Sequence, residues 1–219
     1  MTSPIQHSVL ATFILPIAQA LRLRGLDAME VIESAGIDPS GVINSDRRIS
    51  VGSMQKLMQT CIELSDDEAF GLFAAEQMQP QVLHGLGLAW LASDTVYDGL
   101  KRTVRFGQLM STGVTLRLEE AGEFVQLIVD RNIAPESYAH ASGDFGVGMI
   151  LRMCRLALGE FIAPVKVELE RPAPTNPEQF EYFLCCPVSF GCETTQITFY
   201  LPDIQEPLAT GDPGLARVN

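Results

Sequence analysis

Three cysteines fall within eight residues of the segment EYFLCCPVSFGC: Cys185, Cys186 and Cys192. Thiols this close could ligate a metal, switch by oxidation or supply a nucleophile. A structural zinc needs four ligands. Adjacent cysteines are poor co-ligands for one tetrahedral ion, and the three histidines, His7, His84 and His140, are scattered. A catalytic cysteine needs a nearby base and a lowered pKa, and the sequence offers neither. No metal, cofactor or catalytic residue is expected. Redox sensing by Cys185 with Cys192 stays open as a minor alternative.

The better candidates are side chains that could line a small-molecule pocket. His84 and Trp90, the sole tryptophan, sit in the apolar stretch VLHGLGLAWLAS. Arg105, Phe106 and Met110 follow on the next helical stretch. The helix expected over 137–158 carries Gly143, Gly146 and Gly148, each unfavourable in a helix interior. So many glycines imply tight packing or room left for something else. That helix also supplies Phe145, Met149, and the charged pair Asp144 and Arg152, a salt bridge or an anchor for a polar head. An apolar lining with a few converging polar groups is what a ligand site requires. The expected pocket therefore lies between the helical half and the sheet half. It is lined by 83–91, 96–111 and 137–158, with His84, Arg105 and Arg152 as polar contacts. An Arg there suits a carboxylate through bidentate pairing, so a small acid is the expected effector: an amino acid or a fatty acid. GLGLAWLAS lacks the G-x-G-x-x-G pattern, and Gly85 and Gly87 are read as permitting close helix packing.

The composition narrows the function classes. The net charge is −12 and the pI about 4.6. Binding nucleic acid needs clustered Lys and Arg, and the longest basic cluster is Arg47-Arg48. The chain is expected to bind DNA poorly, and an anionic membrane surface would repel it. The apolar N-terminal stretch has no basic region before it and is interrupted by Pro16. Five cysteines, mostly in apolar runs, favour a reducing cytoplasm over a disulfide framework.

The elements that must position these residues divide in two. Residues 1–112 read as capped helices. Leu10 to Arg24 stops at Gly25, and Asp27 with Glu30 opens a short helix that Gly36 closes. Ser50 caps a helix with an apolar stripe from Met54 to Ile62, a Ser65–Glu68 box opens another, and Thr95 with Asp98 starts a third. Residues 113–203 change period. Val114, Leu116 and Leu118, then Val125, Leu127 and Val129 across Gly122, make a hairpin. Val165, Val167 and Leu169 alternate, as do Ile197, Phe199 and Leu201, with a helix opening at Asn176-Pro177 between them. The expected fold is α+β: a helical half, then a small antiparallel sheet with packed helices. Residues 204–219 lose their periodicity and read as a linker.

The order of these pieces resembles a known family. LRLRGLDAMEVIESAGIDPS, RIS before a helix, DDEAFGL, HGLGLAWLASDTVYDGLKRTVRFGQLMSTGVTLRLEE, RMCRLALGE, VELERPAP and FEYFLCCPVSFGCETTQITF follow one another. Together they resemble the N-terminal effector-binding domain of AraC/XylS transcription regulators, in the arabinose-binding-like branch, over roughly residues 8–213. The resemblance implies a sensor and dimerisation domain over 1–203 that takes a small-molecule effector and forms a homodimer. It also implies a C-terminal domain with two helix-turn-helix motifs, beginning shortly after residue 219, through which promoter DNA would be bound. The chain is expected to be part of a longer regulator rather than a natural sensor-only form. In such domains the closing segment commonly reads Phe-x-Cys-Pro-Val-x-Phe, matched by Phe183, Cys186, Pro187, Val188 and Phe190, so Cys186 is expected to be structural. A haem or gas sensor is the alternative, although the Tyr-x-Ser-x-Arg motif of haem nitric-oxide-binding domains is absent from this sequence. An enzyme on an α+β scaffold is the least favoured reading.

Overall fold

A computed structural model describes residues 7–41, 47–134, 138–158, 162–209 and 211. The helices begin where short polar side chains can satisfy free backbone donors. Asp27 accepts from the N–H groups of Met29 and Glu30 at the start of α2 (Ala28–Ser34), after α1 (Ile14–Leu23). Ser50 accepts from Ser53 N at the start of α3 (Val51–Ser65), and Thr95 from Asp98 N at the start of α6 (Val96–Met110).

The Ser65–Glu68 box does not form. Ser65 Oγ donates back to Cys61 O inside α3. Asp67 takes Ala69 N instead, just before α4 (Phe70–Glu76), and Glu68 Oε2 accepts from Thr175 N. Between α4 and α6, a turn of 3-10 helix at Pro80–Leu83 leads into α5 (Gly85–Leu91). This segment is not buried all round, since Leu88 is 61% exposed.

The helical half also contains strands. β1 (Ser8–Leu10) pairs antiparallel with β2 (Arg48–Ser50), each only three residues long. Arg48 ties the ribbon together, donating from Nε to Ser8 Oγ at 2.8 Å and from Nη2 to Ser8 O at 3.0 Å.

A five-stranded sheet follows, in the order β3 (Val114–Ala121), β4 (Phe124–Arg131), β7 (Thr195–Tyr200), β5 (Lys166–Leu169), β6 (Val188–Phe190). The hairpin forms in the expected register, with Leu116 opposite Val129 and Leu118 opposite Leu127, and Gly122 turns it at φ 65°. The sheet is not wholly antiparallel, because β5 and β6 run parallel. Helix α8 (Pro177–Leu184) lies in the crossover that parallel neighbours require. Val167 and Leu169 point inward as expected, but Val165 lies before β5 and is exposed. Leu201 begins α9 (Leu201–Ile204) rather than ending β7.

Helix α7 (His140–Leu158) is the axis of the molecule and touches α3, α4, α5, α6 and α8. The residue where this helix was expected to start, Ser137, lies outside the described residues. Packing continues past 203: Ile204 and Leu208 are buried, and Leu208 N donates to Asp94 O at 2.8 Å. Of the expected linker, residues 210 and 212–219 lie outside the described residues.

Candidate ligand cavity

The three glycines of α7 have three different surroundings. A Cβ on Gly148 would come within 2.6 Å of Ala75 Cβ, so this glycine lets α7 lie against α4. A Cβ on Gly143 would run into the Tyr138 hydroxyl. A Cβ on Gly146 would meet nothing within 4 Å, because Gly146 faces a cavity.

That cavity has a volume of about 140 Å³ and lies between the helical half and the sheet. Helix α7 forms one wall with Phe145, Gly146, Met149 and Met153. Helix α6 forms another with Thr103, Gly107 and Met110, three positions on one helical face. The sheet contributes Leu116 and Val129, the N-terminal segment Val9 and Phe13, and α3 Met54 and Gln55. Trp90 closes one side. Its Nε1 donates to Thr103 Oγ1 at 2.9 Å, and that hydroxyl donates to Gly99 O at 3.1 Å. The indole rests on Gly99, where a Cβ would be 2.5 Å from Trp90 Cε2. Trp90 is thus fixed in place and its polar atom is already satisfied.

Five of the eight methionines, Met54, Met78, Met110, Met149 and Met153, line this one cavity. Their flexible thioethers can repack around different shapes. Among the described residues no charged side chain is in the lining. The polar lining is Gln55, Thr103, Ser111, Tyr138 and Ser142. Gln55 Oε1 accepts from Ala139 N at 2.6 Å, and Ser111 Oγ accepts from Gly113 N at 3.1 Å. Ser142 Oγ is buried without a hydrogen-bond partner. Burial raises the Tyr138 hydroxyl pKa well above its usual value, with nearby Asp144 adding to the effect, so it stays protonated.

The candidate residues read from the sequence fall into two sets. Trp90, Met110, Phe145 and Met149 line the cavity. His84, Arg105, Phe106 and Arg152 do not. His84 precedes α5 in a strained backbone conformation, φ 52° and ψ −136°, with Nε2 3.4 Å from Thr12 Oγ1. Arg105 is exposed, and its guanidinium lies 5.0 Å over the Phe106 ring. Arg152 lies in a separate cleft of about 20 Å³ with Glu76 and Arg155. The partner of Asp144 is not Arg152 but Arg171, at 2.6 Å. Sequence reasoning missed Gln55, Tyr138 and Ser142 as lining residues. The clustering of methionines on α3, α6 and α7 is the signal that points to this face.

The cysteines lie away from the cavity, and all five are free. Cys61, Cys154 and Cys186 are buried, which pushes each thiol up to about 12. Cys185 ends α8 in the left-handed conformation at φ 60°. Among the described residues no group of three or more His, Cys, Asp or Glu side chains is placed to hold a metal ion. No helix among them is long and apolar enough to cross a membrane.

Residues 25–208 match the family model of the arabinose-binding N-terminal domain of AraC transcription regulators. The chain belongs to this family. Among solved structures, it is similar to the transcriptional regulator CdpR from Pseudomonas aeruginosa, with 16% identity and a TM-score of 0.60. That likeness covers 92% of this chain and 59% of CdpR, so the chain spans well under two thirds of its neighbour's length. No curated protein matches the chain. In this AraC-type domain, Val9 and Phe13 precede the matched span yet form part of the cavity wall.

Proposed function

We propose that this domain senses a small metabolite in the cavity between its two halves and thereby controls DNA binding by a separate part of the regulator. The observation that carries the reading is the apolar cavity of about 140 Å³ on the α7 axis, left open by Gly146. A ligand can act only through differential affinity for two arrangements of the protein. A molecule in this cavity touches both halves at once, so its binding energy depends on how α6 and α7 sit against the sheet.

The path out of the cavity supports a route for the signal. Trp90 packs on Gly99, across the turn from α5 to α6. The segment after α9 is anchored on that same turn, by Leu208 N to Asp94 O at 2.8 Å and by a bridge between Thr95 and Pro207. Displacing Trp90 would therefore disturb the anchor of the chain where it leaves the domain. With a net charge of −12, the chain itself is not the DNA-contacting part. The reading retains a homodimer, which rests on the family resemblance and is checked by sedimentation of the purified chain. The haem alternative is not favoured, since no histidine lines the cavity.

The test is reporter induction by the full-length regulator carrying Gly146→Leu. The side chain enters the cavity from a position with open space, so folding and promoter binding should persist while induction is lost. Normal induction by this variant, at unchanged effector concentration dependence, would remove the cavity from the sensing mechanism.

A further inference from the structure

We infer that the effector is uncharged and mainly hydrocarbon, with a single hydrogen-bonding group held by the Tyr138 and Ser142 hydroxyls at the N-terminal end of α7. The inference rests on the cavity being the sensing site and names the chemistry of its occupant. Three observations carry it.

The first is that no described lining residue is charged. An ionised group taken out of water needs a partner of opposite charge or several donors. The cationic candidates Arg105 and Arg152 are outside the lining, and the buried Arg171 is already held by Asp144 at 2.6 Å and by Glu68 O at 3.2 Å. A carboxylate would have to enter protonated.

The second is the supply of free polar atoms. Thr103, Ser111 and Gln55 each already hold hydrogen bonds within the protein. Ser142 Oγ is buried and has no partner, and the Tyr138 hydroxyl, which lies over Gly143 in the same lining, can donate or accept beside it. A buried hydroxyl left without a partner is unfavourable, and a ligand hydroxyl or carbonyl relieves that. A sugar brings many hydroxyls, most of which would find no partner here.

The third is the wall itself. A cavity of about 150 Å³ lined by apolar side chains is known to take benzene, and this one has about 140 Å³. Phe13, Phe145 and Trp90 offer ring contacts, and the five methionines allow adjustment to larger shapes.

The test titrates the 219-residue chain with benzyl alcohol, toluene, benzoate and L-arabinose, read by fluorescence of the single Trp90. Benzyl alcohol should bind and arabinose should not. With a carboxyl pKa near 4.3, about one benzoate in a thousand is protonated near pH 7.3, so its affinity should be roughly a thousandfold lower and rise about tenfold per pH unit downward. Ser142→Ala and Tyr138→Phe should each weaken benzyl alcohol by about threefold to tenfold and leave toluene unchanged. Equal losses for both probes, or none, would overturn the placement of the polar group. Benzoate or arabinose binding as tightly as benzyl alcohol, with Gly146→Leu abolishing it, would overturn the ligand class and leave the cavity as the site. If no probe binds, or if Gly146→Leu leaves binding unchanged, the inference and the sensing reading fall together.

Discussion

Asp144 Oδ2 accepts from Arg171 Nη1 at 2.6 Å, and both side chains are buried, at 2% and 7% exposure. The pair joins α7 to the segment after β5. Arg171 also donates to Glu68 O and lies 4.7 Å over the Phe180 ring, so the segment leading into α4 and helix α8 share the same anchor. Breaking a buried pair leaves a charge without compensation and costs about 3–5 kcal/mol. Asp144→Ala and Arg171→Met should each destabilise by about that much. The double variant should lose less than the sum of the two, as measured by urea unfolding at a pH above about 8, where the Asp144 carboxyl is ionised. Additive losses would show that the two residues act separately.

The same pair sets a pH dependence. Burial raises the Asp144 carboxyl to about 7, and Arg171 only partly offsets this. In the unfolded chain the value returns to about 3.9. Between these values the folded state holds a proton that the unfolded state has released. Stability should therefore fall as pH rises from about 4 to about 7 and level off above. Asp144→Asn should remove that slope. Parallel melting-temperature profiles for the two proteins across this range would contradict the assignment.

The glycines of α7 should separate cleanly. Gly146→Ala adds a side chain into open space, so the gain in helix propensity should stabilise by up to about 1 kcal/mol. Gly148→Ala forces α7 away from Ala75 and should destabilise by about 1–3 kcal/mol. Chemical denaturation of the two variants checks both signs. A loss of stability in Gly146→Ala would mean that the cavity does not extend to that position.

The cysteines should divide by burial. Iodoacetamide at pH 8 should modify Cys185 and Cys192, which are partly exposed, and spare Cys61, Cys154 and Cys186, whose thiols are held near 12. Mass spectrometry of the peptides reads this directly. Early labelling of Cys186 would remove it from the buried core. Cys186→Ser should destabilise by about 1–3 kcal/mol, for a buried hydroxyl without a partner.

What could be read from the sequence was mostly local. The caps Asp27, Ser50 and Thr95 each act on donors two or three residues away, and the hairpin register follows from a two-residue period closed by Gly122. The Ser65–Glu68 box failed because Ser65 had a nearer acceptor in its own helix and Asp67 stood closer to the new start. The pairing of β1 with β2 and the parallel neighbours β5 and β6 join short segments distant in sequence, and no local pattern encodes such partners.

The same limit applies to the cavity. Arg105 could have been set aside from the sequence. It stands two residues, or about 200°, from Thr103, which faces the cavity together with Gly107 and Met110. Arg152 shares a stripe with Gly148 toward α4. That Tyr138 and Ser142 would meet Gln55 of α3 depends on tertiary packing that neither segment encodes alone.

The central claim is that a small molecule occupies the cavity on the α7 axis. The most direct measurement is NMR of the methionine methyl groups, labelled with carbon-13, during titration with benzyl alcohol. Met54, Met78, Met110, Met149 and Met153 line the cavity, whereas Met58 is buried elsewhere and Met29 is exposed. The account predicts that the five cavity signals move together along one saturable curve while those of Met29 and Met58 stay in place. Shifts confined to Met29 or Met58, or five cavity signals that remain fixed at saturating probe, would contradict it.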